Sequence, residues 1–179
     1  MSNRKEEKII ESKEVFIGNA NAPVTIMEFI DYESEKCAKM HDAVKEIMRT
    51  YDDKVKFNFR HFPLMRLHQK ALKAAEAAVG ATQDGKFFEM HEILFSNRKN
   101  LGLISLKSYA KDIGITNPSF LNNLINGKYG LYVQDDLKYG LKLGVKEVPT
   151  FFINGIKVEG ELSFDILKEK IEAALKNLS

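Results

Sequence analysis

The sequence has one cysteine, no tryptophan and almost no excess of one charge. A single cysteine, Cys37, excludes an intrachain disulfide, a Cys-x-x-Cys redox centre and a zinc cluster built from cysteines within one chain. Lysine and arginine total 27 against 25 aspartates and glutamates, which gives a formal net charge of +2 over 179 residues. That balance offers no bulk attraction for nucleic acid, so no nucleic-acid partner is predicted.

Long apolar runs are also lacking. No stretch of 18 or more apolar residues occurs, so we predict no transmembrane helix and no membrane insertion. Residues 1–14 are a charged lead-in without the apolar core of a signal peptide, which predicts a cytoplasmic protein if the chain is complete. The length corresponds to one domain, or to one domain with an insertion. Nothing in the pattern indicates an oligomeric state.

The apolar pattern predicts the order β-α-β, a helical block, and then β-β-α. Residues 24–30 are apolar and β-rich, and helical spacing follows over about 35–51. Residues 55–59 alternate as a second strand, which is predicted to end at Phe62-Pro63. Asn154-Gly155 joins two further β-rich runs, which is typical of a hairpin. A βαβ start implies parallel strands and a hairpin adds antiparallel ones, so we predict an α/β fold with a mixed sheet.

The middle of the chain is predicted to be helical. Ser105 is a predicted N-cap, Pro118 fits a first helical position, and Ser163 is predicted to cap the last helix. The predicted helices of the block cover residues 66–80, 86–95, 105–113, 117–125 and 131–143.

Five short segments, taken in order, are similar to those of one known family. They read GNANAPVTI at 18–26, EFIDY at 28–32, FRHFPL at 59–64, GKFFEMH at 85–91 and VPTFFING at 148–155. Through them the chain resembles the DsbA-like branch of the thioredoxin superfamily over nearly its whole length. The resemblance implies a thioredoxin fold formed by residues 15–64 and 145–179, with an inserted helical subdomain at 65–144.

The chain departs from this family at its active-site motif. The family has Cys-x-x-Cys after the first long strand, whereas this window reads Ser34-Glu35-Lys36-Cys37. Ser34 falls on the attacking cysteine and Cys37 on the resolving one. A serine hydroxyl cannot form a disulfide, so no dithiol turnover is predicted for the chain as written. Glu35 and Lys36 are charged where the family often has proline and an aromatic residue or histidine, which favours natural degeneracy over an engineered change.

Two interpretations stay open for each residue of this degenerate motif. Cys37 is either an inert, half-buried thiol packed as a small hydrophobic residue or a one-thiol site that forms mixed disulfides. Ser34 is either an N-cap or, as in kappa-class glutathione transferases, a hydrogen-bond partner of a glutathione thiolate. His41, one turn after Cys37, could form a Cys–His pair, although a lone helical histidine is more often at the surface or capping. No histidine has metal-ligand spacing, so no metal site is predicted.

The resemblance implies roles for four further residues. Glu28 matches a buried acid that serves proton transfer for the resolving thiol, and burial should raise its pKa. Tyr32 is predicted to form a wall of the active site. Pro149 matches the cis-proline of the superfamily, and the backbone of Val148 would pair with a bound peptide by β-augmentation. Tyr32, Val148 and Pro149 are therefore the predicted binding groove.

The main functional hypothesis is a relative of thiol-disulfide oxidoreductases that retains this groove for a thiol-containing peptide or small thiol, without dithiol turnover. One alternative is a glutathione-dependent transferase or isomerase of kappa-class type that uses Ser34. Another is a non-catalytic binding module of a larger protein. No cofactor is predicted, and glutathione is the candidate ligand. If an N-terminal segment has been removed from the chain, the resemblance implies a place in the bacterial cell envelope.

Overall fold

Residues 8–178 are described by a computed structural model, in which five strands and seven helices follow one another. Strands β1 to β5 are Ile17–Gly18, Val24–Ile30, Val55–His61, Thr150–Ile153 and Ile156–Lys157. Helices α1 to α7 are Glu35–Thr50, Ala71–Thr82, Phe87–Ser96, Leu103–Asp112, Phe120–Ile125, Gly130–Lys142 and Phe164–Lys176.

The strands form one mixed sheet in the order β1-β3-β2-β4-β5. β2 and β3 run parallel with Val24 opposite Val55, and α1 connects them. Every other neighbouring pair is antiparallel, including the β4–β5 hairpin. The predicted α/β class, mixed sheet and thioredoxin fold are confirmed. β2 is central, so most of its apolar residues are buried against neighbours on both sides, as residues in a central strand should be.

Helix α1 is held to the sheet by one apolar face. Its buried residues recur at helical spacing, and two of them, Val44 and Ile47, are fully buried aliphatic side chains. Each such side chain contributes about 1.5–3 kcal/mol through removal of apolar area from water. α7 contributes Leu167 and Ile171 and packs beside α1. The start of α1, which carries the degenerate motif, is thereby fixed against the sheet.

Two predicted helix starts in the block are wrong. α4 begins at Leu103 with Gly102 at the N-cap, so Ser105 lies inside the helix rather than capping it. Pro118 precedes α5 because the Asn117 side chain accepts a hydrogen bond from the backbone N–H of Ser119 and closes a turn there. The predicted cap at Ser163 is confirmed, since its Oγ accepts from the Ile166 N–H at 3.2 Å.

Helix α2 also begins later than predicted, at Ala71, because residues 64–70 form turns tied to Asp31. α2 lies in the middle of the helical block, and its small side chains let α5 and α6 approach closely. Gly80 shows how close: a Cβ there would lie 2.6 Å from a ring carbon of Phe120 and 2.7 Å from one of Tyr129. The block packs on the sheet through α6, and its division from the rest at residues 65 and 144 stays a prediction.

The charged lead-in is partly packed on the sheet. Residues 1–7 of the predicted lead-in lie outside the described residues. Ile9 is buried, and a short 3-10 turn follows at Ser12–Glu14. The Asn58 side chain on β3 donates to the backbone carbonyls of Ser12 and Val15 at 2.7 and 2.9 Å. None of the helices within residues 8–178 has the length and apolar character that crossing a bilayer requires.

Candidate functional site

Ser34 is the N-cap of α1. Its backbone is extended, and its Oγ accepts a hydrogen bond from the Cys37 N–H at 3.2 Å. This bond satisfies one of the amide groups that a helix start leaves without a partner. Ser34 is buried, so its hydroxyl is committed to the helix rather than presented to solvent. Its predicted catalytic role stays a prediction.

Cys37 is fully buried, not half-buried as predicted. Burial, with a smaller contribution from the nearby Glu28 carboxylate, raises the pKa of the Cys37 thiol to about 12. The helix start favours thiolate, and so does a hydrogen bond between the Cys37 side chain and the Ser34 side chain. Removal of the thiol from water outweighs both effects. Because thiolate is the nucleophile, the structure favours the inert interpretation of Cys37 over a reactive one-thiol site.

We expect Cys37 to react with a thiol reagent such as Ellman's reagent on the order of 10³-fold more slowly in the native protein than in denaturant. The reason is that a pKa of about 12, against about 8.5 in an unfolded chain, lowers the thiolate fraction by that factor. The control is Ser96→Cys combined with Cys37→Ala, because Ser96 is exposed and should label at the rate of a free thiol. Fast labelling of native Cys37 would contradict the prediction.

Glu28 lies on β2, is buried and is close enough to Cys37 and Tyr32 to influence the ionisation of both. Burial raises the pKa of the Glu28 carboxyl well above its ordinary value, which favours the protonated acid. The structure therefore brings together Ser34, Cys37 and Glu28 at the start of α1. A role for Glu28 in proton transfer stays a prediction.

Tyr32 does not line a groove, contrary to the prediction. Its side chain is fully buried, its hydroxyl is hydrogen-bonded to His91 Nδ1 at 2.8 Å, and its ring packs on Phe95. Tyr32, the second residue after β2, points toward α3 because the helical block covers that side of the sheet. Tyr32 is thus a core residue that joins the sheet to the helical block.

His41 is buried too, rather than at the surface or capping a helix. Its Nε2 is 2.5 Å from Glu92 Oε1 on α3, and its ring stacks on Phe95. None of the hydrogen bonds among residues 8–178 joins His41 to Cys37, so the Cys–His pair is not formed. Within the same residues, no group of three histidine, cysteine or acidic side chains is placed to hold a metal ion.

A groove of about 430 Å³ lies beside the start of α1. Val148 and Pro149 line it, as predicted from the resemblance, and the peptide bond between them is cis. Ser34, Cys37 and Tyr32 are not among its lining residues. The other lining residues are Lys36, Lys39, Met40, Glu147, Gly160, Glu161 and Leu162.

Sequence reasoning missed most of these groove residues. Lys36 and Lys39 could have been found, because they flank Cys37 on exposed positions of the predicted helix. Gly160, Glu161 and Leu162 carry no motif, and only the packing of the segment between β5 and α7 brings them to the groove.

Comparison with known proteins agrees with this fold. A family model described as thioredoxin matches residues 11–173. The chain belongs to the thioredoxin family. Oxidised BdbD from Bacillus subtilis is 25% identical, with 90% of this chain and 92% of that chain covered and a TM-score of 0.83. The thiol-disulfide exchange protein alpha-DsbA2 from Wolbachia pipientis is 26% identical, with 88% and 85% covered and a TM-score of 0.76. The predicted relationship to DsbA-like oxidoreductases is confirmed.

Curated relatives of the chain include Na(+)/H(+) antiporters. NhaA 3 of Salinispora tropica is 31% identical over 157 residues, which are 88% of this chain and 24% of the relative. NhaA 1 of Mycobacterium sp. (strain KMS) is 32% identical over 158 residues, which are 87% of this chain and 26% of the relative. The chain therefore spans about a quarter of the length of the curated relatives it matches.

Proposed function

We propose that this thioredoxin-family chain is a binding protein that holds an extended polypeptide, including a thiol-containing one, in the groove beside Val148 and Pro149, without dithiol turnover. The observation that carries this proposal is that the groove is open to solvent whereas the thiol of Cys37 is buried. The groove offers about 430 Å³ at the start of α1, whereas Cys37 is fully buried with its pKa raised to about 12.

Backbone pairing supplies the means of binding. Val148 takes part in none of the backbone hydrogen bonds that the turns and loops of residues 8–178 form. Although Val148 is itself buried, we assign its amide and carbonyl to an extended chain, which would add to the backbone as a further strand does. Met40 and Leu162 supply apolar surface for the side chains of such a ligand. Binding of this kind needs no attacking cysteine.

We expect the unmodified protein to show no turnover in an insulin-reduction assay, and Ser34→Cys to recover part of it. The variant restores two thiols at the family spacing, and Glu28 and Pro149 are already in place. Recovery should be partial, because Cys37 is deeply buried and Glu35-Lys36 is unlike the family pair. Clear turnover by the unmodified protein would overturn the proposal.

Binding is tested directly with a fluorescent thiol-containing peptide and anisotropy. Leu162→Trp should fill the groove and weaken binding, because Leu162 is part of the groove lining. The matched control is Ile104→Trp, since Ile104 is highly exposed and is not a groove residue. Equal binding by the two variants would place the ligand elsewhere.

The second candidate function is a binding module within a larger protein. Its support is that the chain matches about a quarter of each curated antiporter relative. The two candidates are compatible, because a module of this kind would still use the groove. The test is the complete reading frame around the coding sequence: a frame that ends at both limits of the chain would rule this candidate out.

A glutathione-dependent transferase has less support. It needs the Ser34 hydroxyl to face a bound thiolate, but this hydroxyl is buried and accepts the Cys37 N–H. A native-state ligand present at 100 times its Kd stabilises a protein by about 2.7 kcal/mol. We expect millimolar glutathione to give no such shift in thermal unfolding.

A further inference from the structure

The groove beside Val148 and Pro149 carries opposite charges on its two walls. Lys36 and Lys39 line it from α1, whereas Glu147 and Glu161 line it from the two loops that precede β4 and α7. All four side chains are exposed. The part of the groove lining that carries Lys36 and Lys39 is called the α1 wall, and the part that carries Glu147 and Glu161 is called the loop wall.

Most of these charges have no ion-pair partner within the part of the chain that the structure describes. The ion pairs among residues 8–178 include none with Lys36, Glu147 or Glu161. Lys39 pairs with Glu35 at 2.9 Å, but both side chains are more than half exposed. Exposed pairs of this kind are weak, so Lys39 can exchange Glu35 for a carboxylate in the groove.

Apolar side chains line the groove together with these charges. Met40 comes from α1, Leu162 comes from the loop before α7, and Val148 and Pro149 directly follow Glu147 in the loop before β4. No ion pair joins the α1 wall to the loop wall among the described residues, so the groove stays open to a ligand.

From this arrangement we infer that the groove selects an extended polypeptide segment of mixed charge. An acidic side chain is directed at Lys36 and Lys39, an apolar one contacts the apolar lining, and a basic one is directed at Glu147 and Glu161. The inference rests on the proposed function and adds the charge pattern of its partner. A segment with two acidic side chains would meet carboxylates on the loop wall, and one with two basic side chains would meet ammonium groups on the α1 wall. Such like-charge contacts select against the wrong partners.

The test uses five labelled peptides of the form Gly-X-Leu-Z-Gly, in which X and Z are Glu and Lys, Lys and Glu, Glu and Glu, Lys and Lys, or Gln and Gln. Both mixed orders are needed because the ligand can enter in either direction. We expect the better mixed peptide to bind the wild-type protein about threefold to tenfold more tightly than the Gln peptide, the effect of two exposed ion pairs. The advantage should shrink at high ionic strength, which screens exposed charges.

Charge reversal on each wall provides the decisive comparison. The double variant Lys36→Glu, Lys39→Glu should prefer the peptide with two lysines, whereas Glu147→Lys, Glu161→Lys should prefer the peptide with two glutamates. The control for the lysine variant is Lys138→Glu with Lys142→Glu, which makes the same change of net charge at two exposed positions of α6. This control should keep the wild-type preference.

The outcomes separate this inference from the proposed function. If all five peptides bind equally and Leu162→Trp weakens them all, the groove is a binding site but the charge pattern is wrong. An unchanged preference in both wall variants likewise overturns the charge pattern. If no peptide binds the wild-type protein, the proposed function and this inference fail together.

Discussion

Replacement of Asp136 by alanine should lower the free energy of unfolding by about 3–5 kcal/mol, the cost of leaving a buried charge without its partner. Asp136 lies on α6, and its Oδ1 accepts a hydrogen bond from Arg60 Nε on β3 at 2.6 Å. Its Oδ2 accepts from the backbone N–H of His61 at 3.1 Å. This carboxylate therefore joins the helical block to the sheet.

The loss follows from what remains after the substitution. The Arg60 side chain is only 10% exposed, so its guanidinium would keep a buried charge with no carboxylate beside it. The His61 N–H would also lose its acceptor, and a buried unpaired amide costs about 1–3 kcal/mol by itself. Tyr139 lies under the guanidinium and would retain that contact, which offsets only part of the loss.

Urea unfolding measures this effect. Asp135→Ala is the matched control, because Asp135 is the exposed neighbour on the same helix and should change stability by less than about 0.5 kcal/mol. Asp136→Asn should fall between the two, since an amide can still accept from the His61 N–H but removes the negative charge. Equal midpoints for Asp136→Ala and Asp135→Ala would show that the ion pair contributes nothing.

The fold was predictable because its signals are local. Periodicity over 24–30 and 35–51 and the Asn154-Gly155 turn each report on a few neighbouring residues. The second strand was predicted to end at Phe62-Pro63, and β3 covers Val55–His61, since the turn residues that follow it mark its end locally. The hydrogen bond from the His61 N–H to Asp136 joins residues 75 positions apart, and a contact of this kind leaves no trace in the local pattern.

The candidate site was predictable only in part for the same reason. The motif correctly predicted that Ser34 and Cys37 lie at the start of a helix. The preference of serine for the N-cap explains the position of Ser34. The depth of Cys37 could not be derived, because it depends on how closely the rest of the chain covers α1. The direction of His41 depends on Glu92, which approaches from another helix. The loop wall of the groove comes from a segment that has no motif at all.

Acid should destabilise the protein through its buried histidines, and His61 provides the cleanest test. His61 lies among aromatic rings, and within residues 8–178 neither of its ring nitrogens has a hydrogen-bond partner. Burial lowers the pKa of His61, against weaker opposing influence from Asp136, and burial likewise lowers the pKa of His41 and His91. The native protein therefore holds these imidazoles neutral.

The sign of the pH dependence follows from which state binds protons. A histidine of the unfolded chain gains a proton as pH falls below about 6.5, whereas the same group in the native protein resists it. The stability that depends on a neutral imidazole is present above pH 6.5 and is lost as pH falls below it. Glu28 acts in the opposite direction, because its raised pKa lets the native state keep a proton that the unfolded chain releases above about pH 4.3.

His61→Leu isolates one imidazole from these opposing effects, since Glu28 is common to both proteins. Leucine is close to histidine in volume and removes no hydrogen bond, so near pH 7.5 we expect a change within about 1.5 kcal/mol. At pH 5 the stability of the variant relative to the wild-type protein should be up to about 2 kcal/mol higher than it is near pH 7.5. The reason is that pH 5 lies about 1.5 units below the pKa of a histidine in the unfolded chain, and that difference corresponds to about 2 kcal/mol. Ile26→Val, a core change without a titrating group, should shift stability equally at both pH values. If His61→Leu also shifts stability by the same amount at both pH values, the pKa of His61 is not lower in the native protein than in the unfolded chain.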